Sequence, residues 1–277
     1  MTIKIVRREW LLVVLTMLLL FGCEQSKQEE KSMISTTKNE TLDWKAFEQK
    51  KVVFGHQSVG NNILNGVQRL ADRDGIKIDI NEQRSAPSVN GISHFLIGKN
   101  GDPKSKIHDF ASAIDGGAAQ GADIAMMKLC YVDIKPSSNA RQLANDYIKS
   151  LDLLSEKYPD ISFVAVTSPL YTVQTGLKAW IKNLIGKQPS GYLENERRSE
   201  FNTLLRERYF SEGRMFDIAK AESNGKICRA VVDEREVEVL CPEFTNDGGH
   251  LNERGQEFVA TAFINFISSF NTKQIKR

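Results

Sequence analysis

Residues 51–72 read KVVFGHQSVGNNILNGVQRLAD, and this stretch decides the expected fold. Its first part, residues 51–54, is short, apolar and partly β-branched, as in a buried strand. Residues 59–72 then place apolar side chains at helical spacing. The glycines on both sides of Ser58 permit a tight connection between the two elements. The stretch therefore predicts a strand, a turn and a helix, with Ser58 at the start of the helix.

The same alternation of short apolar runs and longer amphipathic runs continues to the end of the chain. It predicts further strands at residues 76–80, 124–129, 161–167 and 215–219, and further helices at 107–119, 138–157, 177–185, 194–210 and 252–270. Residues 85–106, which contain Gly, Pro and Ser, are predicted to form a long loop. Strands that alternate with helices are typical of an α/β domain with a mainly parallel sheet.

The first 22 residues have the pattern of a bacterial export signal. Positive side chains precede residues 11–22, a nearly all-apolar run that would reach about 18 Å as a helix, short of the roughly 30 Å hydrocarbon core. The run ends at Leu20-Phe21-Gly22-Cys23, which resembles a lipobox. This resemblance implies cleavage before Cys23 and lipidation of its thiol. The alternative is an uncleaved N-terminal anchor in which Cys23 is incidental.

A polar segment follows the predicted lipidation site. Residues 23–43 contain few large apolar side chains, which favours a flexible tether between lipid and domain. Residues 44–277 are long enough for one sizeable core and are predicted to form a single domain. Lipidation implies that the chain is membrane-attached in the cell envelope, outside the cytoplasm. Glu24, which stands where an aspartate could retain the protein at the inner membrane, resembles the outer-membrane sorting pattern.

The charge of the chain argues against a nucleic-acid partner. Removal of residues 1–22 takes away three positive side chains and one negative one, and so lowers the formal charge from +2 to zero. No cluster of basic residues interleaved with aromatics remains. The chain also lacks both glycine-rich phosphate-binding patterns, G-x-G-x-x-G and G-x-x-x-x-G-K-[ST], and no cofactor is predicted. The sequence sets no oligomeric state.

Two of the four cysteines flank a predicted hairpin. Cys228 and Cys241 enclose a valine-rich segment with a turn at residues 234–235, so that they face each other across its base. In an oxidising compartment this predicts a disulfide. Cys130, among apolar neighbours, is predicted to be a buried free thiol.

Two motifs depart from the composition of a scaffold. The first is residues 55–60, GHQSVG, where Ser58 would lie beside unpaired N–H groups at the positive end of a helix. The second is residues 247–255, DGGHLNERG, where Asp247 could orient the imidazole of His250. Each has a simpler interpretation. Ser58 could be an N-cap, and Asp247 could cap a turn beside a surface histidine.

Together the two motifs resemble the SGNH or GDSL hydrolase family, over nearly the whole domain. In that family a serine follows the first strand and an Asp-x-x-His motif precedes the last helix. Residues 195–206, with Arg198, Phe201, Asn202 and Leu205, also resemble a helix of the family. The resemblance implies a three-layer α/β/α sandwich with a flavodoxin-like sheet. It assigns Ser58 as nucleophile, His250 as general base and Asp247 as the residue that orients the base.

The oxyanion-binding residues depart from the family pattern. The family has an asparagine after its third strand, whereas the corresponding residues 129–133 read LCYVD, and Val132 cannot donate a side-chain hydrogen bond. Asn90 and Lys128 are the candidate substitutes, and Tyr131 is a candidate substrate contact. The backbone donor is assigned to Gly91, with Gly98 as second choice. His56 could contact substrate or be satisfied by the backbone. A metal site formed by His56, Asp247 and His250 is not predicted, since no zinc-like spacing occurs.

The expected function is therefore a serine esterase that acts on acyl or acetyl esters of envelope or extracellular glycans. The substrate follows from the family and the location, not from any residue. Transfer of the acyl group to a sugar hydroxyl instead of water is a second possibility. A non-catalytic glycan-binding lipoprotein on the same scaffold is a third, because Cys130 and Val132 replace the oxyanion residues.

Overall fold

The computed structural model describes residues 41–85, 87–232 and 234–271. The predicted signal segment, Cys23 and the tether as far as residue 40 lie outside the described residues. From Asp43 onward the described chain forms one compact unit whose first helix begins at Trp44. No helix in the described part of the chain is long and apolar enough to cross a membrane.

A six-stranded sheet lies at the centre of the domain. Its strands are β1 (Lys51–His56), β2 (Ile80–Glu82), β3 (Gly91–Leu96), β4 (Ile124–Met127), β5 (Ser162–Val166) and β6 (Met215–Phe216). Their order is β2-β3-β1-β4-β5-β6, and every neighbouring pair is parallel. Apart from the short edge strand β2, this is the flavodoxin-like order. The predicted α/β class with a mainly parallel sheet is confirmed.

Eight α-helices are described around the sheet. They are α1 (Trp44–Phe47), α2 (Ser58–Asp74), α3 (Pro103–Asp115), α4 (Ala140–Lys157), α5 (Gly176–Leu184), α6 (Tyr192–Tyr209), α7 (Ile218–Glu222) and α8 (Glu253–Ser269). Polar side chains begin several of them: Asp102, Asn139, Asp217 and Asn252 each accept a hydrogen bond from a backbone N–H in the first turn. These caps satisfy N–H groups that have no partner within a helix.

The helices cover both faces of the sheet, which gives three layers. On one face, Phe263 of α8 packs against Phe54 of β1 and Phe216 of β6, with ring centroids 6.0 and 5.3 Å apart. The opposite face carries a continuous core to which α3, α4 and α6 contribute buried side chains such as Phe110, Tyr147 and Phe201. Burial on both faces explains why β1, β4 and β5 are mainly apolar instead of alternating.

The predicted long loop at residues 85–106 is wrong, because it contains the central strand β3 and the start of α3. Strand β3 reads GISHFL and buries Ser93 and His94, which break the apolar run that marks the other strands. The strand predicted at 76–80 is displaced towards the C-terminus, since β2 begins only at Ile80. The strand predicted at 215–219 ends at Phe216, because Asp217 caps the short helix α7.

A two-stranded antiparallel hairpin lies outside the main sheet. It consists of β7 (Arg229–Val232) and β8 (Arg235–Glu238), and the disulfide between Cys228 and Cys241 is present at its base. Cys130 is buried and free. Both predictions from the cysteine pattern agree with the structure.

Candidate active site

The candidate site lies where the parallel strands end. In open α/β sheets ligands bind at the carboxyl ends of the strands. Strands β1 and β4 are neighbours, and Ser58 and Tyr131 follow their respective ends after short connections. The loop with Asp247 and His250 precedes α8 and reaches the same edge, where the rings of His250 and Tyr131 meet edge to face with centroids 5.6 Å apart.

Ser58 is the first residue of α2 and is half-buried. The N-cap position belongs to Gln57, so the interpretation of Ser58 as an N-cap does not apply. In the part of the chain that the structure describes, Ser58 Oγ makes no hydrogen bond, and the N–H groups of Ser58 and Val59 have no partner. A hydroxyl with no structural role thus lies beside free amide donors at the positive end of a 17-residue helix.

Asp247 and His250 form a close pair. Asp247 Oδ2 lies 2.6 Å from His250 Nδ1. Because an ionised carboxylate only accepts hydrogen bonds, Nδ1 carries the proton and Nε2 is left with its lone pair. His250 Nε2 has no hydrogen-bond partner among the described residues. The pair therefore leaves the lone pair of Nε2 available, and His250 makes no hydrogen bond to Ser58 Oγ.

The second oxygen of Asp247 holds the loop itself. Oδ1 accepts hydrogen bonds from the N–H groups of Gly249 (2.9 Å) and His250 (2.8 Å). Burial acts to raise the pKa of Asp247, but these two bonds and the one from the His250 side chain outweigh it and keep that pKa well below its usual value. The carboxylate therefore stays ionised over the whole physiological range of pH.

Three further contacts fix the loop against the rest of the site. Asn62, on the turn of α2 that follows Ser58, accepts the N–H of Leu251 at 3.2 Å. The Tyr171 hydroxyl donates to the carbonyl of Asp247 at 3.1 Å. Gly249 lies so close to the ring of Tyr131 that a Cβ there would fall 2.5 Å from it. The serine helix and the Asp247–His250 loop are thus joined through Asn62 and packed against two tyrosines.

His56 is buried and is satisfied by partners within the protein. Its side chain is fully buried, Nδ1 donates to the carbonyl of Gln57 at 3.0 Å, and Nε2 lies 3.0 Å from Nδ1 of His94. Burial lowers the pKa of His56 to about 3, although the hydrogen bond to Gln57 acts in the opposite direction. Both ring nitrogens are occupied, so His56 is equally unsuited to binding a metal together with His250.

Lys128 is not an oxyanion donor either. It is fully buried, and its Nζ donates to the carbonyl of Leu129 at 3.0 Å and lies 3.7 Å from Cys130 Sγ. Burial lowers the pKa of Lys128. Val132 is partly exposed. Of the residues after β4 that the sequence nominated, Tyr131 is the one whose side chain lies beside His250.

Asn90 and Gly91 lie at the wrong edge of the sheet for the predicted role. Gly91 begins β3, and its N–H donates to the carbonyl of Lys50, which precedes β1. Parallel strands start together at one edge and end at the other, so these residues are a strand length away from Ser58. Gly98 does follow the end of β3, but its N–H donates to Asp109 at 2.8 Å. Neither glycine N–H is free.

The structure brings in residues that sequence reasoning missed. Gln57 donates from Nε2 to the carbonyl of Ile97 at 2.8 Å, and so ties the loop after β3 to the serine turn. Arg198 of α6 is almost fully buried and donates from Nε and a terminal nitrogen to the carbonyl of Tyr131, at 3.0 and 2.8 Å. The sequence identifies Arg198 only as one residue of a helix that resembles a helix of the family, and it does not predict the contact with Tyr131. Nothing in the sequence marks Gln57 or Asn62.

One cluster of metal-ligand residue types occurs in the described part of the chain, formed by Cys228, Cys241 and Glu243. Its two sulfurs are joined to each other in the disulfide. A metal ligand must be the thiolate, so this cluster is not a metal site.

A buried ion pair supports the segment that carries Tyr131. Lys106 Nζ lies 2.6 Å from Asp133 Oδ2, and both side chains are fully buried. Asp133 also accepts the N–H groups of Cys130 (2.6 Å) and Gly101 (2.8 Å). These bonds join the loop after β3 to the turn after β4. Strands β3 and β4 lie on either side of β1, so the ion pair connects the segments that flank the end of β1.

We expect Lys106→Met to reduce the free energy of unfolding by about 3–5 kcal/mol, because it leaves the Asp133 charge buried and without its partner. Urea unfolding would measure the loss. The double variant Lys106→Met/Asp133→Asn removes both charges and should lose less than the single variant. A single variant as stable as the parent would contradict this role of the pair.

Glu222 of α7 is a further buried ionisable group. It is fully buried, and its Oε2 accepts the N–H of Leu170 at 2.6 Å. Burial raises the pKa of Glu222 to about 8, against the opposing effect of that hydrogen bond and of Lys128. Folding therefore favours the neutral carboxyl group.

A raised pKa in the folded state gives stability that is present below the ordinary value of 4.5 and is lost as the pH rises towards 8. We expect this loss to be about 1.4 kcal/mol per pH unit within that window. Glu222→Gln should remove the slope, so that the variant gains on the parent between pH 5 and pH 8. Thermal unfolding of both proteins across this range measures the difference, and a constant difference would refute it.

Comparison with known proteins gives low similarity throughout. No protein family and no curated protein matches the chain. Among solved structures 35 chains match. A candidate GDSL-like lipase from Parabacteroides merdae is 12% identical, with coverage of 79% of this chain and 96% of that one and a TM-score of 0.48. A lipolytic G-D-S-L family protein from Veillonella parvula is 13% identical, with 76% and 93% covered and a TM-score of 0.45.

The periplasmic domain of a Salmonella lipopolysaccharide acetyltransferase is 14% identical, with 76% of this chain and 81% of that one covered and a TM-score of 0.41. The solved structures that resemble the chain therefore include GDSL-family proteins, all at low identity. At this level of similarity they define no activity for it.

Proposed function

We propose that this chain is a serine-dependent ester hydrolase, with Ser58 as nucleophile, His250 as general base and Asp247 as the group that orients the base. The observation that carries the proposal is the 2.6 Å contact between Asp247 Oδ2 and His250 Nδ1 at the sheet edge where Ser58 begins its helix. A base oriented by a third group beside a hydroxyl is the arrangement that activates a weak nucleophile.

In the proposed reaction Ser58 Oγ attacks the ester carbonyl while His250 Nε2 takes its proton. Asp247 stabilises the imidazolium that forms. His250 then returns the proton to the departing alcohol, which leaves an acyl-enzyme. Water, deprotonated by His250, releases the acid and restores Ser58. In apo structures catalytic hydrogen bonds are often long, so substrate binding is expected to close the gap between Ser58 and His250.

The free N–H groups of Ser58 and Val59 are the proposed donors to the oxyanion. They lie in the first turn of α2, where the helix dipole adds to their effect. The side-chain donor that Val132 lacks has no replacement among the candidates, since Lys128 Nζ is buried and donates to the carbonyl of Leu129, and Asn90 lies at the opposite edge of the sheet. Because one missing donor typically costs about 10²- to 10³-fold in rate, we expect slow turnover of simple esters.

The proposed substrates are acyl or acetyl esters of envelope or extracellular glycans. Support comes from the predicted lipidation at Cys23, which would confine the chain to an extracytoplasmic membrane face. The domain would then reach only substrates close to that membrane. The rings of Tyr131 and Tyr171, 5.5 Å apart beside the catalytic pair, offer a surface on which a sugar ring can pack. Mass spectrometry of the mature protein that found a chain beginning at a diacylated Cys23 would support this location.

The experiment that tests the function is turnover of an aryl acetate together with labelling by a fluorophosphonate. An active serine hydrolase hydrolyses the ester and loses that activity as Ser58 becomes phosphonylated. A folded protein that does neither would favour the second candidate, a glycan-binding lipoprotein without catalysis. Two observations favour this second candidate: Val132 lacks a side-chain donor, and Ser58 makes no hydrogen bond to His250. Product analysis with a sugar acceptor separates hydrolysis from acyl transfer.

A further inference from the structure

Helix α5 exposes an apolar face that the domain does not cover. Five large apolar side chains in and just after this helix are between 45% and 70% exposed: Leu177, Trp180, Ile181, Leu184 and Ile185. Their spacing of i, i+3, i+4, i+7 and i+8 places them on one face of the helix. A single exposed leucine is ordinary in a folded protein, but a contiguous face of this kind marks an interaction surface.

The charges around this face are all positive. Lys178, Lys182 and Lys187 accompany it, and residues 174–193 contain no aspartate or glutamate. Lys178 and Lys187 are exposed, while Lys182 donates to the hydroxyl of Ser190 at 2.7 Å. Such a segment combines apolar side chains with a local charge of +3, although the chain as a whole is nearly neutral.

The segment that carries α5 leaves and returns to the domain at one point. Gln174 N–H donates to the carbonyl of Ser190 at 2.9 Å, which closes its base. Directly before that base, Thr172 N–H donates to the carbonyl of Gly248 at 2.9 Å, and the Tyr171 hydroxyl donates to Asp247. Helix α5 is therefore attached to the loop that holds the catalytic pair.

We propose that α5 docks onto an anionic lipid bilayer and lies in its interface. Tryptophan favours the headgroup level of a membrane, and amphipathic helices with lysine on the polar side bury their apolar face at the boundary with the acyl chains. The absence of acidic residues fits a negative headgroup surface, where each nearby lysine contributes favourably. A nine-residue helix is only marginally stable alone, so the surface would also stabilise its conformation.

Docking through α5 would place the loop of Asp247 and His250, to which the base of the α5 segment is bonded, near the membrane. The orientation of the domain would then be set by two attachments, the N-terminal one predicted at Cys23 and α5 itself. This interaction does not depend on the chemistry of Ser58. A domain without hydrolase activity would dock in the same way.

A local probe tests the proposal on the full chain. Apolar residues 11–22 will themselves enter lipid, so binding of the whole protein is uninformative. We would place an environment-sensitive fluorophore at Leu184→Cys in a Cys23→Ser background, in which Cys130 is buried and the other cysteines are paired. The matched control is Leu153→Cys on α4, a leucine that is 53% exposed. Both proteins are mixed with vesicles of phosphatidylcholine containing phosphatidylglycerol.

We expect the probe at position 184 to shift to the blue and to be quenched by spin-labelled lipid, and the probe at position 153 to do neither. Lys178→Gln and Lys187→Gln should each lower the ratio of docked to free α5 about fivefold. Equal responses of the two probes, or none at position 184, would overturn the proposal. A shift at position 184 that needs no vesicles but grows with protein concentration would overturn it in favour of a second copy.

Discussion

Replacing Ser58 with alanine is expected to reduce kcat/KM for an aryl acetate by about 10⁴-fold or more, equivalent to about 5 kcal/mol of transition-state stabilisation. The reason is that Ser58 Oγ is the only proposed atom that forms a bond with substrate. Free N–H groups at the start of α2 would still polarise the carbonyl, so a small residual rate above that in water is compatible with the mechanism. Fluorophosphonate labelling, followed by peptide mass analysis, should disappear in the same variant.

The stability of the variant gives the control for this effect. Ser58 Oγ makes no hydrogen bond within the described residues, and Gln57 occupies the N-cap, so alanine at the first helical position should change the unfolding midpoint little. Ser112→Ala, which alters an exposed serine of α3, should leave both turnover and labelling unchanged. Retention of labelling in the Ser58 variant would show that another nucleophile acts.

The parts of the fold that could be predicted are those in which local pattern and burial agree. Strand β1 and helix α2 follow directly from residues 51–72, and the hairpin disulfide follows from two cysteines placed about a turn. Strand β3 was not predicted because Ser93 and His94, which are buried within it, interrupt the apolar pattern expected of a buried strand. Ser93 accepts from Gln83, and His94 pairs with His56. These partners are distant in sequence, so no local pattern predicts them.

The error in β3 also explains the errors in the proposed oxyanion residues. If residues 85–106 form a loop, Gly91 follows a strand, whereas in the structure it begins one. The glycine that does follow the strand, Gly98, has its N–H bound by Asp109. A one-dimensional pattern can identify a glycine but cannot show where its N–H points. The contact between Asp247 and His250, in contrast, lies within four residues of one turn, and such short-range geometry can be predicted from sequence.

Burial explains why the two ionisable candidates do not take the predicted roles. His56 and Lys128 are close in sequence to Ser58 and Tyr131, which makes His56 a candidate substrate contact and Lys128 a candidate oxyanion donor. Both side chains instead point into the protein, where burial lowers the pKa of each. His56 donates a hydrogen bond to the carbonyl of Gln57, and Lys128 donates one to the carbonyl of Leu129. His56 is the last residue of β1, where successive side chains point to opposite faces, so its adjacency to Gln57 and Ser58 along the chain does not imply access to the same space.

Asp247→Asn is expected to lower kcat/KM by about 10³-fold, which corresponds to about 4 kcal/mol, while leaving the loop folded. Oδ1 of Asp247 accepts the N–H groups of Gly249 and His250, so the amide oxygen of asparagine takes that position. The amide nitrogen then faces His250 Nδ1 and donates to it. This bond places the imidazole proton on Nε2, and the lone pair that should take the proton of Ser58 is lost.

Two comparisons separate this tautomer effect from simple loss of a charge. Glu243→Gln makes the same chemical change on an exposed carboxylate shortly before the loop, and turnover should be unaffected. Asp247→Ala removes the acceptors of Gly249 N–H and His250 N–H as well as the partner of Nδ1, so it should also reduce thermal stability, which the asparagine variant should keep. If Asp247→Asn hydrolysed the aryl acetate as fast as the parent, His250 would not act through the proton on Nδ1. Its role as a base oriented by Asp247 would then have to be abandoned.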